Sequence, residues 1–369
     1  MTDNTAHTVE KIETLIQEWT GKEIFPGISI LAAQKDRVVF QKAYGFKSLA
    51  PRREGADPGT IYDLASLTKP LITAFLGLYF SERENLPLET GVRSFFPTFP
   101  IDCSIAHLLT HTSGLPAWEP IYLEPRPYLD TLSSMTPHSK PGAQVDYSCL
   151  GYILLHFLLQ KIGGDSYKSL AENIILKPLE LNRTFLAVPP DSITDIAPTE
   201  KGNEYERKKA LEMDRYRDYS QSFNWREEII RGETHDCNSF YCGGCAGNAG
   251  LFSTTGDLFK LSREFFPSSA TILKPETAQL FWKNQTPLKK SHRSMGFKLN
   301  SSLQTSGGYF LSRKAIGHNG FTGTSIWMEP EEETVFIILT NRVHPSVEAV
   351  NVNKIRRRLH RHLKRLIRD

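Results

Sequence analysis

The sequence predicts an α+β fold, because strand patterns lie near both ends of the chain and helical patterns fill the middle. Apolar segments at 28–33 and 38–44 flank the polar turn 35–37, which predicts a β-hairpin. Near the other end, the segment 335–341 is apolar on both faces, as is typical of a central strand with cover on each side. Between these strands, apolar residues recur mainly at helical spacing.

The remaining elements follow from similar patterns. Apolar residues at helical spacing stop at Gly21 and predict an N-terminal helix. A second helix is predicted at 150–162, where the pair Gly163-Gly164 ends it. Further strands are predicted at 296–300 and 321–328.

The charge of the chain is uneven. Its 369 residues carry a net charge of +3, yet residues 354–369 contain eight Lys or Arg and one Asp, which gives +7 and leaves −4 for the rest. Apolar residues recur at helical spacing through this basic segment, at Ile355, Leu359, Leu363 and Leu366. Such a helix can pack against the protein with its charged face in solvent, which we favour, or contact an anionic membrane or nucleic acid.

No targeting or membrane segment is expected. Residues 1–20 contain no long apolar stretch, and no run reaches the roughly 18 residues of a membrane span. The five cysteines are an odd number in a chain of this length, which favours reduced thiols over a disulfide framework. We therefore expect a cytoplasmic protein.

Ser66 is a candidate nucleophile at the start of a predicted helix. The apolar run that follows it predicts a buried helix beginning at or next to this residue. Lys69 follows three residues later, so a hydroxyl and an amine can meet on neighbouring rows of the helix. The amine is a base only when neutral, which at pH 7 requires its pKa to fall by roughly 3 units, about 4 kcal/mol, through burial or nearby positive charge. The alternative is that Ser66 caps a helix and Lys69 is solvated.

Two histidines are candidate bases or ligands. His107 and His111 lie where a short helical pattern runs into a turn. Histidines beside turns more often hydrogen-bond the backbone, and we favour that structural role. Tyr147 is a further candidate, because it stands at the beginning of a predicted helix.

Three cysteines allow a metal site to be considered. Cys237, Cys242 and Cys245 lie near His235 in the sequence. A single C-x-x-C with one more cysteine five residues upstream is a weak metal signature, so we expect neither a metal nor a cofactor.

Three separated motifs together resemble one family. Ser66-x-x-Lys69, Tyr147-Ser148-Cys149 and His318-Asn319-Gly320 occupy the relative places of the S-x-x-K, Y-x-N and K-T-G elements of class C β-lactamase-like proteins, within the penicillin-recognising serine hydrolases. Supporting stretches in the same order are 107–116, 197–200, 235–236, 250–254, 317–324 and 340–345. The resemblance covers most of residues 8–346.

The resemblance implies a β-lactamase/transpeptidase-like fold. An antiparallel sheet, made of the N-terminal hairpin and the C-terminal strands, would pack between the terminal helices, with a mainly helical domain inserted. We expect residues 1–65 and 290–369 to form the sheet domain and 66–289 the helical domain. The charged segment 201–224 would be an insertion that borders the cleft.

The resemblance also implies roles for named residues. Ser66 would attack a carbonyl, Lys69 would assist its deprotonation, and Tyr147 would pass the proton to the leaving group. The backbone N–H groups of Ser66 and Phe321 would form the oxyanion hole, where losing one donor typically costs about 10²- to 10³-fold in rate.

Two substrate-binding positions depart from the family pattern. Cys149 stands where the family usually has Asn, which weakens a hydrogen bond to an acyl-amide carbonyl. His318 stands where Lys is common, and a neutral imidazole holds a carboxylate less firmly than an ammonium does. Asn319 and Gly320 complete this substrate-binding segment. Both departures argue against good recognition of β-lactams or D-Ala-D-Ala.

The sequence therefore predicts a serine hydrolase that acts through an acyl-enzyme on small esters or amides. The first alternative is a β-lactamase, D-Ala-D-Ala carboxypeptidase or penicillin-binding protein. The second is a catalytically silent relative that uses the cleft for binding, because function resides in sites and not in folds. We expect a small-molecule acyl substrate, no nucleic acid, and at most a weak contact of the basic C-terminal helix with anionic surfaces; the oligomeric state stays open.

Overall fold

The fold is built on a seven-stranded antiparallel sheet with helices on both faces. The computed structural model describes residues 3–348 and 350–368. The helices are α1 Asp3–Gly21, α2 Phe75–Arg83, α3 Ile105–Leu109, α4 Tyr128–Ser133, α5 Cys149–Gly163, α6 Tyr167–Ala171, α7 Glu204–Glu212, α8 Arg217–Ser222, α9 Cys237–Tyr241, α10 Thr255–Ser262, α11 Pro275–Ala278 and α12 Val352–Arg368. The strands are β1 Gly27–Gln34, β2 Arg37–Ser48, β3 Glu54–Gly55, β4 Tyr62–Asp63, β5 Phe252–Ser253, β6 Lys298–Leu299, β7 Ile316–Asn319, β8 Ser325–Glu329 and β9 Thr334–Thr340.

The sheet joins the two ends of the chain. Its strand order is β3-β2-β1-β9-β8-β7-β6, and β4 and β5 form a separate two-stranded ribbon. The N-terminal hairpin pairs with the C-terminal strands through β1 and β9, with Ile28 opposite Thr340 and Gln34 opposite Thr334. The predicted α+β class, the hairpin and the antiparallel sheet are therefore confirmed.

The adjacent strands β1 and β9 bury their side chains in two different cores, one on each face of the sheet. Alternate residues of a strand point to opposite faces, and here each face has helical cover. One face packs on α1 and α12 and takes from the central strands Ile28, Ile30, Ala32, Phe336 and Ile338. The other face packs on the helices between β4 and β6 and takes Leu31, Ala33, Val335, Ile337 and Leu339. The prediction of a doubly covered strand at 335–341 is confirmed.

The C-terminal helix α12 is a packing helix, as the favoured interpretation held. Ile355, Leu359, Leu363 and Leu366 are buried in the core under the sheet, together with apolar residues of α1. The basic residues between them lie mostly on the outer face. Among the residues that the structure describes, no helix combines the length and the apolar character needed to cross a membrane.

Two predicted strands near the site have different bounds. The strand predicted at 321–328 begins only at Ser325, because residues 320–324 form a turn, and the one predicted at 296–300 is reduced to β6. The strand Ile316–Asn319 was not predicted. Within 201–224 the structure has the two short helices α7 and α8, and the domain limits stay a prediction.

Candidate active site

Ser66 lies in a 3₁₀ turn, Ala65–Leu67, that opens a helical segment running on to Arg83, so the helix predicted to begin at or next to this residue is confirmed, although its first part is not α-helical. A π-helical turn, Lys69–Ala74, follows, and only then does α2 begin. Ala65 has φ +47°, a backbone conformation that costs energy for a residue with a Cβ. The turn is held in that shape by Thr68 Oγ1, which donates to the Ala65 carbonyl at 2.7 Å. Ser66 is thereby presented on a constrained turn.

The buried carboxylate of Asp63 fixes this turn from the other side. Its Oδ1 accepts the Ala65 N–H at 2.8 Å and its Oδ2 accepts the His235 N–H at 2.8 Å. Burial raises the pKa of Asp63 to about 6, and these two backbone hydrogen bonds oppose the rise. Asp63 therefore connects the nucleophile turn to the segment that precedes α9.

The turn between β7 and β8 is anchored directly beside Ser66. Thr322 Oγ1 donates to the Asp63 carbonyl at 2.7 Å, and Thr324 Oγ1 donates to the Leu64 carbonyl at 3.0 Å. At Gly320 a Cβ would overlap both Thr324 Oγ1 and the Leu64 carbonyl oxygen. These long-range contacts explain why residues 320–324 leave the strand and why position 320 is glycine.

The Phe321 N–H is available to a ligand in this turn. Among the hydrogen bonds of the described residues, none uses this N–H as donor. The Phe321 ring lies 5.5 Å from the His235 ring and 5.3 Å from the Tyr205 ring, centroid to centroid. The Arg342 guanidinium lies 5.1 Å from the same ring. The packed ring fixes the orientation of the backbone at the expected oxyanion hole.

Lys69 is fully buried, with its ammonium held by three acceptors. Its Nζ donates to Ser66 Oγ at 3.0 Å, to Cys149 Sγ at 3.4 Å and to the Asn248 carbonyl at 3.0 Å. A protonated lysine has three N–H donors, and this arrangement uses all of them. The geometry fits the charged form of the side chain.

The fall in the pKa of Lys69 that a neutral amine would require at pH 7 is not found. Burial lowers it, but the negative charges that Cys149 and Tyr147 can develop, and a hydrogen bond with Tyr147, raise it above its ordinary value. The sequence showed the neighbouring lysine but not the anion-forming partners around it. The three acceptors around Nζ fit a Lys69 that keeps its proton in the resting site.

Tyr147 lies between the lysine and the histidines. Lys69 Nζ is 5.1 Å from its ring centroid, and the rings of His111 and His318 are 4.5 Å and 5.8 Å away. Burial raises the pKa of the phenol, while the charge of Lys69 and hydrogen bonding with Ser66 and Lys69 oppose the rise. The structure thus brings Ser66, Lys69 and Tyr147 into one cluster.

The histidines near the site are neutral and bound to the backbone. His107 Nδ1 accepts the Ser104 N–H at 3.2 Å and His111 Nδ1 accepts the Ser148 N–H at 3.1 Å, which confirms the structural role favoured for both. His318 Nδ1 lies 3.0 Å from the Asn319 carbonyl oxygen. Burial and the charges of Lys69 and Arg293 hold the pKa of His318 well below its ordinary value, so the expected neutral imidazole is confirmed.

One cavity of about 630 Å³ collects most of the predicted site residues. Lys69 lies behind Ser66 and is not part of the wall. The predicted residues that line the cavity are Ser66, Tyr147, Cys149, His318, Asn319, Gly320 and Phe321. Tyr205, Glu206 and Lys209 of the segment 201–224 line it as well. A cavity of this size accommodates a small organic substrate.

A cationic wall of the cavity was not predicted. Arg293 is only 8% exposed, and its guanidinium lies 5.5 Å from the Tyr147 ring centroid. Within residues 3–348 and 350–368, neither Arg293 nor its neighbour Lys298 forms an ion pair through its side chain, and Arg293 Nε has no hydrogen-bond partner. Burial lowers the pKa of both groups. No pattern in the sequence distinguished these two cations from surface ones.

Another lining residue, Glu206, is a buried carboxyl group that holds its proton near neutral pH. Burial, reinforced by the charge of Asp236, raises the pKa of Glu206 to about 8. Its Oε1 accepts the Cys237 N–H at 3.2 Å. Burial also raises the pKa of Cys237, Cys242 and Cys245. Among the described residues, no cluster of three or more His, Cys, Asp or Glu side chains is arranged as a metal site.

Comparisons with known proteins agree with this architecture. The chain is 26% identical to the Escherichia coli K12 protein named "Putative D-alanyl-D-alanine carboxypeptidase", with 92% of this chain and 84% of that protein covered. It is 27% identical to the Bacillus subtilis "N-acetylmuramyl-L-alanine amidase", with 88% and 78% covered. The structure of "EstCE1, a hydrolase with promiscuous acyltransferase activity" superposes with a TM-score of 0.73 over 99% of both chains, at 17% identity, a likeness of fold. Since the beta-lactamase family model matches residues 12–360, the chain belongs to the beta-lactamase family of serine hydrolases.

Proposed function

We propose that this protein hydrolyses small esters or amides through an acyl-enzyme on Ser66. The observation that carries the proposal is the hydrogen bond of 3.0 Å between Ser66 Oγ and the buried Lys69 ammonium, on a constrained turn at the cavity wall. Serine is a weak nucleophile until a neighbouring group takes its proton. The free Phe321 N–H, with that of Ser66, would receive the negative charge of the tetrahedral intermediate.

The proton of Ser66 passes to the cluster formed by Lys69 and Tyr147. Both groups hold their protons in the resting site, because the pKa of each lies above its ordinary value. The active form is therefore the one in which the cluster has lost a single proton, leaving one base beside Ser66. After attack, Tyr147 delivers the proton to the leaving group, and the same pair then activates the water that releases the acid.

The cationic wall favours substrates that carry an anionic group. Arg293 and Lys298 face the cavity with no carboxylate partner among the described residues, and a buried cation is stable mainly when an anion neutralises it. A guanidinium binds a carboxylate through two parallel hydrogen bonds. We therefore propose that a carboxylate of the substrate binds here, in the place of the ammonium that His318 cannot supply.

This cationic wall also supports a second candidate, a D,D-peptidase or β-lactamase activity. Both kinds of substrate present a carboxylate near the reacting amide, and relatives of this chain carry the corresponding name. Cys149 weakens the hydrogen bond expected for an acyl amide. We therefore rank ester and simple amide hydrolysis first.

The experiment compares turnover of p-nitrophenyl esters with and without a carboxylate, together with cephalosporins and D-amino-acid amides. Wild-type protein should hydrolyse at least one ester, and Ser66→Ala should lose that activity by about 10³-fold or more. Arg293→Gln should raise KM for the anionic ester about tenfold and leave the neutral ester unchanged, because it removes one charge-assisted pair.

Two results would count against the proposal. Equal activity of wild type and Ser66→Ala would leave the silent binding relative as the better description. An unchanged ratio between anionic and neutral esters in Arg293→Gln would remove the carboxylate site while leaving the hydrolase intact.

We also keep the cytoplasmic location as a proposal. It rests on the odd number of cysteines, which favours reduced thiols. Cell fractionation with a compartment marker tests it, and recovery outside the cytoplasm would contradict it.

A further inference from the structure

Large apolar side chains are exposed together on one part of the surface. Leu288, Leu303 and Tyr309 are 94%, 81% and 100% exposed, far more than any other large apolar side chain in the described part of the chain. Phe310 is a partly exposed neighbour. Such a concentration of exposed apolar side chains marks an interaction surface more often than chance.

These residues belong to two loops that contact each other. Leu288 lies in the loop before β6, and the other three lie in the loop between β6 and β7. The loops are joined at His292, whose N–H donates to Ser302 Oγ at 2.7 Å and whose Nδ1 lies 2.7 Å from Ser301 Oγ. The exposed apolar residues therefore sit on one connected structure.

The stretch of sequence that contains both loops has no acidic residue, although Glu329 accepts the Ser312 N–H of the second loop. From 277 to 328 the chain contains no Asp or Glu, while it carries Lys283, Lys289, Lys290, Arg293, Lys298, Arg313 and Lys314. Lys314 pairs with Glu331 at 2.8 Å. A stretch of this kind gives the surrounding surface a positive potential.

Helix α12 adds a row of basic residues beside these loops. Lys354, Arg358, Arg361, Arg365 and Arg368 follow each other at a spacing of three or four, so they share one face of the helix. All five are exposed, and no described carboxylate forms an ion pair with any of them. The row is a positive stripe without an ion pair to any carboxylate that the structure describes, and the carboxylate that its charge reaches is Glu18, whose pKa is lowered first by its hydrogen bond with Lys22 and to a smaller extent by Arg358.

The stripe contacts the loop between β6 and β7. The Arg361 guanidinium lies 5.4 Å from the Phe310 ring centroid. A Cβ at Gly308 would lie 2.9 Å from Cγ of Arg357 on the same helix, so the loop packs directly on α12. We name the basic–apolar face as the surface made of Leu288, Leu303, Tyr309, Phe310 and the five basic residues of the stripe.

We propose that the basic–apolar face docks on an anionic phospholipid membrane. Basic residues are attracted to the anionic headgroups, and exposed leucine and aromatic side chains insert at the boundary between headgroups and acyl chains. Nucleic acid fits less well, because leucine side chains have no ring on which bases can stack. The occupant is therefore a lipid surface, held by charge and by apolar insertion together.

Docking on this face would bring the membrane to the edge of the cavity. Gln304 and Ser306 lie in the same loop as Leu303 and Tyr309, and both line the cavity that contains Ser66. The proposal does not depend on catalysis, so binding and hydrolysis can be measured separately.

The test is sedimentation with vesicles of phosphatidylcholine containing about 30% phosphatidylserine, and with vesicles of phosphatidylcholine alone, at low and physiological salt. Wild-type protein should bind the anionic vesicles, more weakly as salt rises, because surface electrostatics are screened. The double variants Leu303→Ser/Tyr309→Ser and Arg358→Gln/Arg361→Gln should each lose about tenfold or more in affinity.

Matched control variants show whether vesicle binding depends on the basic–apolar face or only on the loss of any exposed aromatic side chain or charge. Tyr219→Ser removes a half-exposed aromatic from α8, and Arg217→Gln removes an exposed charge from the same helix. Both should bind vesicles like the wild type. Thermal midpoints and hydrolysis of a soluble ester verify that each variant is folded.

Three outcomes would overturn the proposal. The wild type could fail to bind anionic vesicles, folded variants of the face could bind as well as the wild type, or a DNA duplex could bind more tightly than the vesicles. If one double variant fails to fold, vesicle binding of the other decides between these outcomes, because one changes the loop between β6 and β7 and the other changes α12.

Discussion

At the scale of single residues, the chemistry depends on where the protons are held. Lys69 and Tyr147 both have raised pKa values, since anion-forming neighbours support the ammonium and burial disfavours the phenolate. His111 and His318 have pKa values well below the ordinary range and do not take up protons near neutral pH. In the proposed mechanism, the titration that controls activity is therefore that of the lysine–tyrosine pair.

We predict that kcat/KM rises with pH above neutrality. The active form lacks one proton of the pair, and raised pKa values place its formation on the alkaline side. The measurement is kcat/KM for a neutral p-nitrophenyl ester from pH 6 to pH 10, corrected for spontaneous hydrolysis. His318→Asn should keep the same rising limb, and activity that falls between pH 6 and pH 8 would contradict the assignment.

A second prediction concerns Cys149, whose Sγ lies 3.4 Å from Lys69 Nζ. Cys149→Asn provides an amide donor where the thiol gives only a weak one, and a net hydrogen bond is worth about 1 kcal/mol, so turnover of amides should improve about fivefold relative to esters. Cys149→Ala is the control that removes the sulfur without adding a donor. An equal change for esters and amides would show that position 149 does not contact the acyl amide.

At the scale of elements, the site is built from the turn 320–324 and the turn 65–67, which are joined by hydrogen bonds. The hydroxyls of Thr322 and Thr324 bind the turn 320–324 to the carbonyl oxygens of Asp63 and Leu64, which come just before the turn 65–67. This arrangement places the Phe321 N–H and the Ser66 hydroxyl at the same cavity. A change in either turn should therefore alter both.

We predict that Gly320→Ala damages the site and the fold together. The added methyl group would overlap Thr324 Oγ1 and the Leu64 carbonyl oxygen. Forcing an extra methyl group into such a site costs typically 1–3 kcal/mol, and rates fall by about 10²-fold when an oxyanion donor is displaced. Chemical denaturation and ester turnover measure the two effects.

Gly55→Ala is the matched control, because a Cβ there meets no atom within 4 Å. It should change the free energy of unfolding by less than about 0.5 kcal/mol and leave turnover intact. If Gly320→Ala behaved like this control, the close contact with the Leu64 carbonyl would not constrain the site.

Local patterns predicted the elements that bury a regular face, and failed where distant contacts decide the backbone. The helices α5 and α12 show apolar residues at helical spacing in the sequence, and the hairpin and β9 show apolar segments of strand length. The turn at 320–324 depends on hydroxyls that bind residues more than 250 positions away, which no local pattern contains. The 3₁₀ form of the turn at Ser66 likewise depends on Asp63, whose other carboxylate oxygen binds the His235 N–H, 172 positions away.

The same limit applies to the candidate site. The motif residues Ser66, Lys69 and Tyr147 were found because they stand in a family order. Arg293 and the carbonyl of Asn248 were missed, because a cation in a loop and a backbone oxygen have no sequence signature. The proton state of Lys69 could not be predicted for the same reason, since it depends on partners brought in by folding.

At the scale of the whole molecule, the two ends of the chain hold the sheet that carries the site. Helices α1 and α12 cover one face, and the opposite face carries the helices around the cavity. The strands β7 and β8, which frame the site, are reached from the N-terminal hairpin only through β9. Loss of the terminal helices should therefore also disturb the geometry of the active site.

We predict that Leu359→Ala lowers global stability although it is distant from the cavity. The side chain is fully buried between α12 and the sheet, and deleting such a side chain typically costs 2–5 kcal/mol. Thermal unfolding and ester turnover should shift to lower temperature together. Val38→Ala, at a half-exposed strand position, is the control with little change, and an equally small effect of Leu359→Ala would show that α12 does not stabilise the sheet.

The most direct test of the central claim is covalent labelling with a fluorophosphonate, read by intact mass and by peptide mapping. The account predicts one adduct per chain, on Ser66, faster at pH 9 than at pH 6, and absent from Ser66→Ala. A wild-type protein that stays unlabelled, or that carries the adduct on another residue such as Cys149, would contradict it.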